Sequence, residues 1–111
     1  MKRTFKELPA FTRLVKSGKI SDELLKDLQN DIMTVGGDTI GGTGGLIKIR
    51  APGSGRGKSG GLRVIYADYA AQGVAVLVVA YSKNVKVELS GEEKRILRGL
   101  KQRLDKQIHG D

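Results

Sequence analysis

The sequence contains no cysteine and a single histidine, and these absences remove much of the common catalytic and metal-binding chemistry. Without cysteine there is neither a disulfide framework nor a thiolate metal site, which suits a reducing compartment. His109 lies close to the carboxyl end, where chains commonly fray, so a catalytic serine would lack a histidine base. The three segments between 46 and 82 that we predict as strands contain one acid, Asp68, which argues against a carboxylate pair. We therefore predict no metal site and no cofactor.

Long apolar runs are absent as well. No stretch approaches the ~20 apolar residues that a membrane-spanning helix needs, and the start, MKRTFKELPAF, has no apolar segment of the signal-peptide type. We therefore expect a cytoplasmic protein with no membrane partner. The length of 111 residues predicts one domain over 1–111, large enough to bury roughly two-thirds of the surface of its unfolded chain.

Acidic residues are missing from the middle of the chain. Twenty Lys and Arg oppose twelve Asp and Glu, for a net charge of +8, yet residues 39–67 contain no acid at all. A solvated surface kept for solubility is one interpretation, but such surfaces usually mix both signs. A basic stretch without acids favours a polyanionic partner. Five cations lie in this stretch: Lys48, Arg50, Arg56, Lys58 and Arg63.

The first third of the chain predicts a short strand and two helices. Residues 3–7 are expected as a strand, and Pro9 suits the first turn of a helix that runs to about Lys16. Ser21 is a good N-cap for a second helix over about 21–33, because apolar residues recur there at helical spacing. The glycine-rich run VGGDTIGGTGG follows, and its composition predicts neither helix nor sheet.

The remainder predicts three strands and a last helix. Residues 46–50 (LIKIR) alternate an apolar face with a cationic face, and residues 62–70 and 74–82 read as a hairpin whose second strand is apolar on both faces and therefore central. Ser90 opens a capping box for the last helix. The order β-α-α-β-β-β-α predicts an α+β fold, a twisted antiparallel sheet with helices packed against it. We expect five residues to form the buried stripe of the last helix: Ile96, Leu97, Leu100, Leu104 and Ile108.

Two phosphate-binding motifs are matched only superficially. Residues 55–60 (GRGKSG) fit G-x-G-x-x-G, but a dinucleotide site needs a helix after this turn and an acid about twenty residues later. Here a strand is predicted to follow, and position 80 is Ala80. A P-loop would place its first glycine at position 52, which is Pro52. We therefore do not expect a nucleotide site.

The chemistry that remains is carried by Lys, Arg and Tyr. Lys48 and Arg50 share one face of their strand, as Tyr81 and Lys83 share a face at the end of theirs. If these strands are neighbours, the side chains converge with Arg63 on one patch, with Arg56 and Lys58 on a loop above it. Guanidinium groups bind phosphate in a bidentate manner. Tyr66, in contrast, is better explained as a core residue with a polar tip.

Two runs of residues resemble a known family. TGGLIKIRAPGSGRGKSGGLRVIYADY, followed by VVAYSKNVKVELSGEEKRIL, is similar to the RelE/HigB family of toxins from bacterial toxin–antitoxin systems. The resemblance covers roughly residues 40–100. It is closest in the segments from Gly57 to Tyr66 and from Tyr81 to Asn84, which match two spaced signatures of HigB-type members.

The resemblance implies a RelE-like toxin domain that cleaves mRNA on the ribosome and is neutralised by a cognate antitoxin. It also implies a metal-free mechanism, in which Lys48 and Arg50 match paired basic residues of one strand and Arg63 matches the arginine of the next. Lys83 lies near a further basic position. Some relatives carry a C-terminal tyrosine, whereas this chain has none after Tyr81, so the general base stays open.

RNA supplies its own nucleophile, the 2′-hydroxyl, so the protein needs only to align it, to stabilise the phosphorane and to move two protons. Arg63 is the candidate for stabilisation, with Lys48 or Lys83 as a base if neighbouring cations favour the neutral amine. Three alternatives remain: a non-catalytic RNA- or ribosome-binding module, a toxin fold without activity, and a DNA-binding domain. The last is weakened because no recognition helix is evident.

Overall fold

The computed structural model describes residues 2–51, 61–82 and 88–110. Within them, three helices and five strands follow the chain in the order β1, α1, α2, β2, β3, β4, β5, α3. Their bounds are β1 Thr4–Glu7, α1 Pro9–Lys16, α2 Asp22–Thr34, β2 Asp38–Thr39, β3 Ile47–Arg50, β4 Leu62–Tyr69, β5 Val74–Ser82 and α3 Gly91–His109. The α+β class and the main element order predicted from sequence are confirmed.

The sheet differs from the prediction at its two edges. Its strand order is β1-β5-β4-β3-β2, and β1 pairs with β5 in parallel, so the sheet is mixed rather than wholly antiparallel. The second difference is β2, a two-residue strand inside the glycine-rich run, which pairs antiparallel with β3. Composition alone disfavours a strand there, but a neighbouring ladder of hydrogen bonds outweighs weak local propensity.

Serine side chains fix where two of the helices begin. The Ser21 hydroxyl accepts a hydrogen bond from the Leu24 backbone N–H at 3.0 Å, at the start of α2. Ser90 and Glu93 form a complete capping box at the start of α3, with bonds of 2.8 and 3.1 Å. Such caps satisfy backbone donors that have no partner within the helix. The predicted N-caps are therefore confirmed.

The helices cover opposite faces of the sheet. Apolar residues of α1 and α2 pack with Ile49, Val64 and Leu77 in one cluster. Leu104 of α3 packs with Ile65 and other strand residues in a second cluster on the other face. The strand β5, which lies between β1 and β4, contributes to both clusters, as its two apolar faces predicted. Tyr66 is 2% exposed and belongs to the first cluster, where we expected a core residue.

The last helix covers its sheet face along only part of its length. Leu104 is buried, and Leu97, Leu100 and Ile108 are half-buried against the sheet. Ile96 is 63% exposed, so its assignment to the buried stripe is wrong. Helical periodicity identifies which residues share a face but not how far the opposing surface extends.

A bulge in the β4–β5 pairing sets the direction of the side chains at the end of β5. Ile65 pairs with Val79 and Tyr66 pairs with Leu77, which leaves Val78 as the extra residue. Val78 and Val79 both pack on the α3 side. A bulge of this kind reverses the alternation beyond it. Tyr81 consequently packs on the α3 face, whereas unbroken alternation from Leu77 would direct it to the other face.

Candidate nucleic-acid interface

Three polar side chains form a row across the sheet on the α3 face. In the strand register, Arg50 of β3 lies opposite Arg63 of β4, and Arg63 lies opposite Tyr81 of β5. Residues directly opposite each other in an antiparallel ladder share a face, with Cβ atoms about 5 Å apart. The convergence of these strands, on which the predicted patch depended, is therefore present in the structure.

A second row lies one step along the same face. Lys48 is opposite Ile65, and across the other edge of β3 it is opposite Asp38 of β2. Lys48 and Arg63 are half-buried, and Arg50 and Asp38 are exposed. We refer to Lys48, Arg50, Arg63 and Tyr81 as the cationic patch. Two arginines that face each other repel, and a phosphate bound between them removes that repulsion by accepting hydrogen bonds from both guanidinium groups.

Two surface depressions meet at Lys48. The first lies toward α3 and is lined by Lys48 and Tyr81 together with Glu88 and Lys94. The second has a volume of about 410 Å³ and lies at the sheet edge, where Asp31, Asp38, Lys48 and Arg50 contribute to its walls. Both are open and polar, which suits a charged strand of nucleic acid more than an enclosed small molecule.

Three of the predicted site residues lie outside the described residues. Arg56 and Lys58 fall between residues 51 and 61, and Lys83 falls between residues 82 and 88. Their predicted roles remain predictions.

Sequence reasoning overlooked the contribution of α3 and of the glycine-rich turn. The side chain of Lys94 packs over Gly42, and that of Arg98 packs over Gly44. A Cβ at Gly42 would lie 3.6 Å from Lys94 Cδ, and Gly42 has a φ of +81°. The spacing of Lys94 and Arg98 places them on one helix face, which is a signal the sequence does contain. That this face meets the turn preceding β3 is decided by tertiary packing.

The turn itself is held by Thr43, which is fully buried. Its hydroxyl donates to the Ile40 carbonyl oxygen at 2.7 Å and accepts from the Leu46 backbone N–H at 3.1 Å. Buried polar groups are costly unless hydrogen-bonded, and here the hydroxyl bridges the two ends of the turn. The turn therefore leads directly into β3 and fixes the start of the strand that carries Lys48 and Arg50.

A separate polar cluster holds the far end of α3. The Tyr69 hydroxyl donates to Asp105 Oδ1 at 2.7 Å, and Lys101 Nζ also donates to this oxygen at 2.7 Å. Burial acts to raise the pKa of Asp105, but the hydrogen bonds from Lys101 and Tyr69 outweigh it and lower the pKa. Burial, and then the bond to Asp105, raises the pKa of Tyr69. This cluster is a structural contact rather than part of the cationic patch.

Metal ligands do not cluster in the part of the chain that the structure describes: no group of three or more His, Asp or Glu residues is arranged to hold an ion there. Within the same residues, no helix has both the length and the apolar composition required to cross a membrane.

A family model described as the RelE toxin of the RelE/RelB toxin–antitoxin system matches residues 2–109. The chain belongs to the RelE toxin family. The match extends beyond the two signature segments to β1 and to the end of α3, so the whole described sheet and its helices fall within it. The protein is a toxin of a toxin–antitoxin system, and the cationic patch lies on one face of the toxin fold.

Proposed function

We propose that this toxin is an endoribonuclease that cleaves mRNA on the translating ribosome. The observation that carries the proposal is the row of Arg50, Arg63 and Tyr81 in register on one sheet face, with Lys48 beside it. A scissile phosphate over this row would contact two guanidinium forks and an ammonium group. Members of the family generally act as translation-dependent mRNA interferases, which agrees with this chemistry.

The proposed reaction uses the 2′-hydroxyl of the RNA as its nucleophile. The 2′-oxygen attacks the adjacent phosphorus, negative charge develops on the phosphorane oxygens, and the bond to the 5′-oxygen breaks. Arg63 is central in the row and half-buried, so it supplies preorganised donors to that charge. The expected products carry a 2′,3′-cyclic phosphate and a 5′-hydroxyl. No metal is required in this scheme, because the cationic side chains supply the positive charge.

A direct test incubates the purified toxin with translating ribosomes and maps new mRNA 5′ ends. We expect new ends that require the toxin and bear a 5′-hydroxyl, and we expect Arg63→Ala to produce none at equal concentration. Stalled ribosomes without new 5′ ends would instead favour the non-catalytic RNA- or ribosome-binding module. Neither stalling nor cutting by the folded wild type would contradict both functions.

The proposal also includes an antitoxin that covers the cationic patch with acidic or apolar segments. Complementary charge accelerates association, and the patch offers positive charge on two adjacent strands, β3 and β4. Expression of the toxin alone should arrest growth, and co-expression of the cognate antitoxin should restore it. Normal growth with abundant folded toxin would count against this part of the proposal.

A further inference from the structure

The carboxylate of Asp38 lies beside the cationic patch because β2 pairs with β3, although the sequence pattern predicts no strand at Asp38. Asp38 is the Cα partner of Lys48 in the β2–β3 ladder, so it stands on the same face as Lys48 and Arg50. It also lines the same edge depression as these two residues. Among the described residues, the Asp38 carboxylate makes no hydrogen bond and no ion pair within 4.0 Å.

The other carboxylates around the α3 side of the sheet already have structural roles. Asp105 binds Tyr69 and Lys101, and Glu93 closes the capping box. Asp68, which binds Arg3 at 2.8 Å, alternates onto the opposite face with Tyr66. Glu88 lines the depression next to Tyr81, but it belongs to the connection before α3 and not to a strand. Asp31 also lines the edge depression, but it belongs to α2. Asp38 is therefore the carboxylate that strand pairing places opposite Lys48, beside the cationic patch.

The neighbouring glycine fixes the position of Asp38 against β3. A Cβ at Gly37 would clash with the backbone carbonyl of Lys48, so only glycine allows this close approach. The backbone of Gly37 also forms a hydrogen bond with the Tyr66 hydroxyl. Gly37 is thus held on two sides, by a core tyrosine and by the strand that carries Lys48. Asp38 is the next residue in the chain, so its backbone is also held in place against β3.

We propose that Asp38 is the general base that activates the 2′-hydroxyl, an assignment that rests on the proposed nuclease function. Asp38 stands at the β2 edge and Tyr81 stands on β5, three strand spacings or about 14 Å away between Cα atoms. The arginines of β3 and β4 lie between them. A phosphate held by the arginines then has the Asp38 carboxylate on its β2 side, where it can accept the proton of the 2′-hydroxyl.

The proton balance closes with Asp38 and solvent water. The Asp38 carboxylate takes the proton of the 2′-hydroxyl while the 2′-oxygen forms its bond to phosphorus. The bond from phosphorus to the 5′-oxygen breaks, and a water molecule donates a proton to that oxygen. The hydroxide that remains takes the proton from the Asp38 carboxyl, which restores both the water and the carboxylate. The Tyr81 hydroxyl takes no part in this transfer, because its oxygen is buried under α3.

The decisive experiment compares cleavage and binding in Asp38→Asn. Single-turnover cutting of ribosome-bound mRNA should fall by about a hundredfold or more, since general-base catalysis contributes roughly 10² to 10⁴. Binding to a non-cleavable RNA with a 2′-deoxy scissile nucleotide should be unchanged or tighter, because a negative charge leaves the patch. These opposite directions separate a base from a residue that only supports the fold, which would lower both.

Matched variants complete the test. Asp27→Asn removes the same charge from an exposed position of α2 and should leave the cutting rate unchanged, and Asp38→Glu should restore part of the lost rate. Gly37→Ala should slow cutting by displacing Asp38, whereas Gly41→Ala, which has open space around it, should not.

Glu88→Gln tests the competing assignment, in which Glu88 is the base. Cutting at the wild-type rate by Asp38→Asn, or a loss that appears only in Glu88→Gln, would overturn the assignment while leaving the nuclease proposal intact. Failure of the wild type to cut would overturn both.

Discussion

The sheet face beneath α3 has two ends that use similar residues for different purposes. At the Tyr69 end, Lys101 lies 5.1 Å from the centre of the Tyr69 ring and is paired with Asp105. At the Tyr81 end, Arg50 and Arg63 stand opposite each other. Charges of opposite sign are paired at the first end, whereas two cations face each other on adjacent strands at the second.

In this small fold, the contacts that stabilise the protein and the residues that we propose to act on RNA lie at opposite ends of one sheet face. The far end of α3 buries Leu104 and satisfies the hydroxyl of Tyr69. The near end leaves Ile96 exposed and keeps the cationic patch open. Like charges on adjacent strands reduce stability, and proteins retain such arrangements mainly where a ligand makes use of them. Substitutions at the two ends should therefore affect different measurements.

The largest expected effect is at the near end. Arg63→Ala should reduce mRNA cleavage by roughly a hundred- to a thousandfold, or about 3–4 kcal/mol, because one preorganised donor to the phosphorane is lost. Arg63→Lys should recover only part of the rate, since an ammonium lacks the two-pronged donor. The thermal midpoint should change little, and Lys106→Ala on exposed α3 surface is the charge-matched control. Wild-type cutting by Arg63→Ala would refute the mechanism.

The next effect lies at the far end and concerns stability. Leu104→Ala should lower the free energy of unfolding by about 2–4 kcal/mol, because it leaves a cavity beneath α3. Urea denaturation measures this directly. The single-turnover cutting rate, taken well below the thermal midpoint, should stay near that of the wild type. A large loss of rate with an unchanged midpoint would contradict the proposed separation of the two ends.

A smaller effect is expected from the hydrogen bond between Tyr69 and Asp105. Tyr69→Phe should destabilise the protein by about 1 kcal/mol, since Asp105 keeps Lys101 and is partly exposed to solvent. The folded pKa of Asp105 is below its ordinary value of 3.8. The stability that the ionised Asp105 carboxylate contributes is therefore fully present above that value, and it is lost as the pH falls through the pKa of the folded state. In Asp105→Asn, the free energy of unfolding should decrease less steeply as the pH is lowered into the acid range. The same decrease as in the wild type would count against this contact.

The smallest expected effect is on the salt dependence of RNA binding. For single strands, log K should fall with log salt by on the order of 0.7 per neutralised phosphate. Arg50→Ala should reduce that slope by about one such step, whereas Lys26→Ala on exposed α2 should leave it unchanged. Equal slopes for the wild type and Arg50→Ala would show that Arg50 does not contact phosphate. A slope near zero for the wild type would show that the protein does not bind RNA through phosphate contacts.

Features that depend on neighbours along the chain could be predicted from the amino-acid sequence alone. Serine caps and helical spacing predicted α2 and α3, and alternation predicted that Lys48 and Arg50 face away from Ile47 and Ile49. These are local properties, because hydrogen bonds and periodicity within one element fix them. The family signatures added the expectation that Arg63 belongs with Lys48 and Arg50.

Tertiary structure decided the rest, because register and packing join residues that are distant in sequence. The bulge at Val78, and not simple alternation, directs Tyr81 to the face of Arg63. Pairing with β3 creates β2 and places Asp38 beside Lys48, although the composition of the glycine-rich run predicts no strand. Strand pairing gains its energy from a partner that the local sequence does not contain. The candidate base therefore became visible only in the folded sheet.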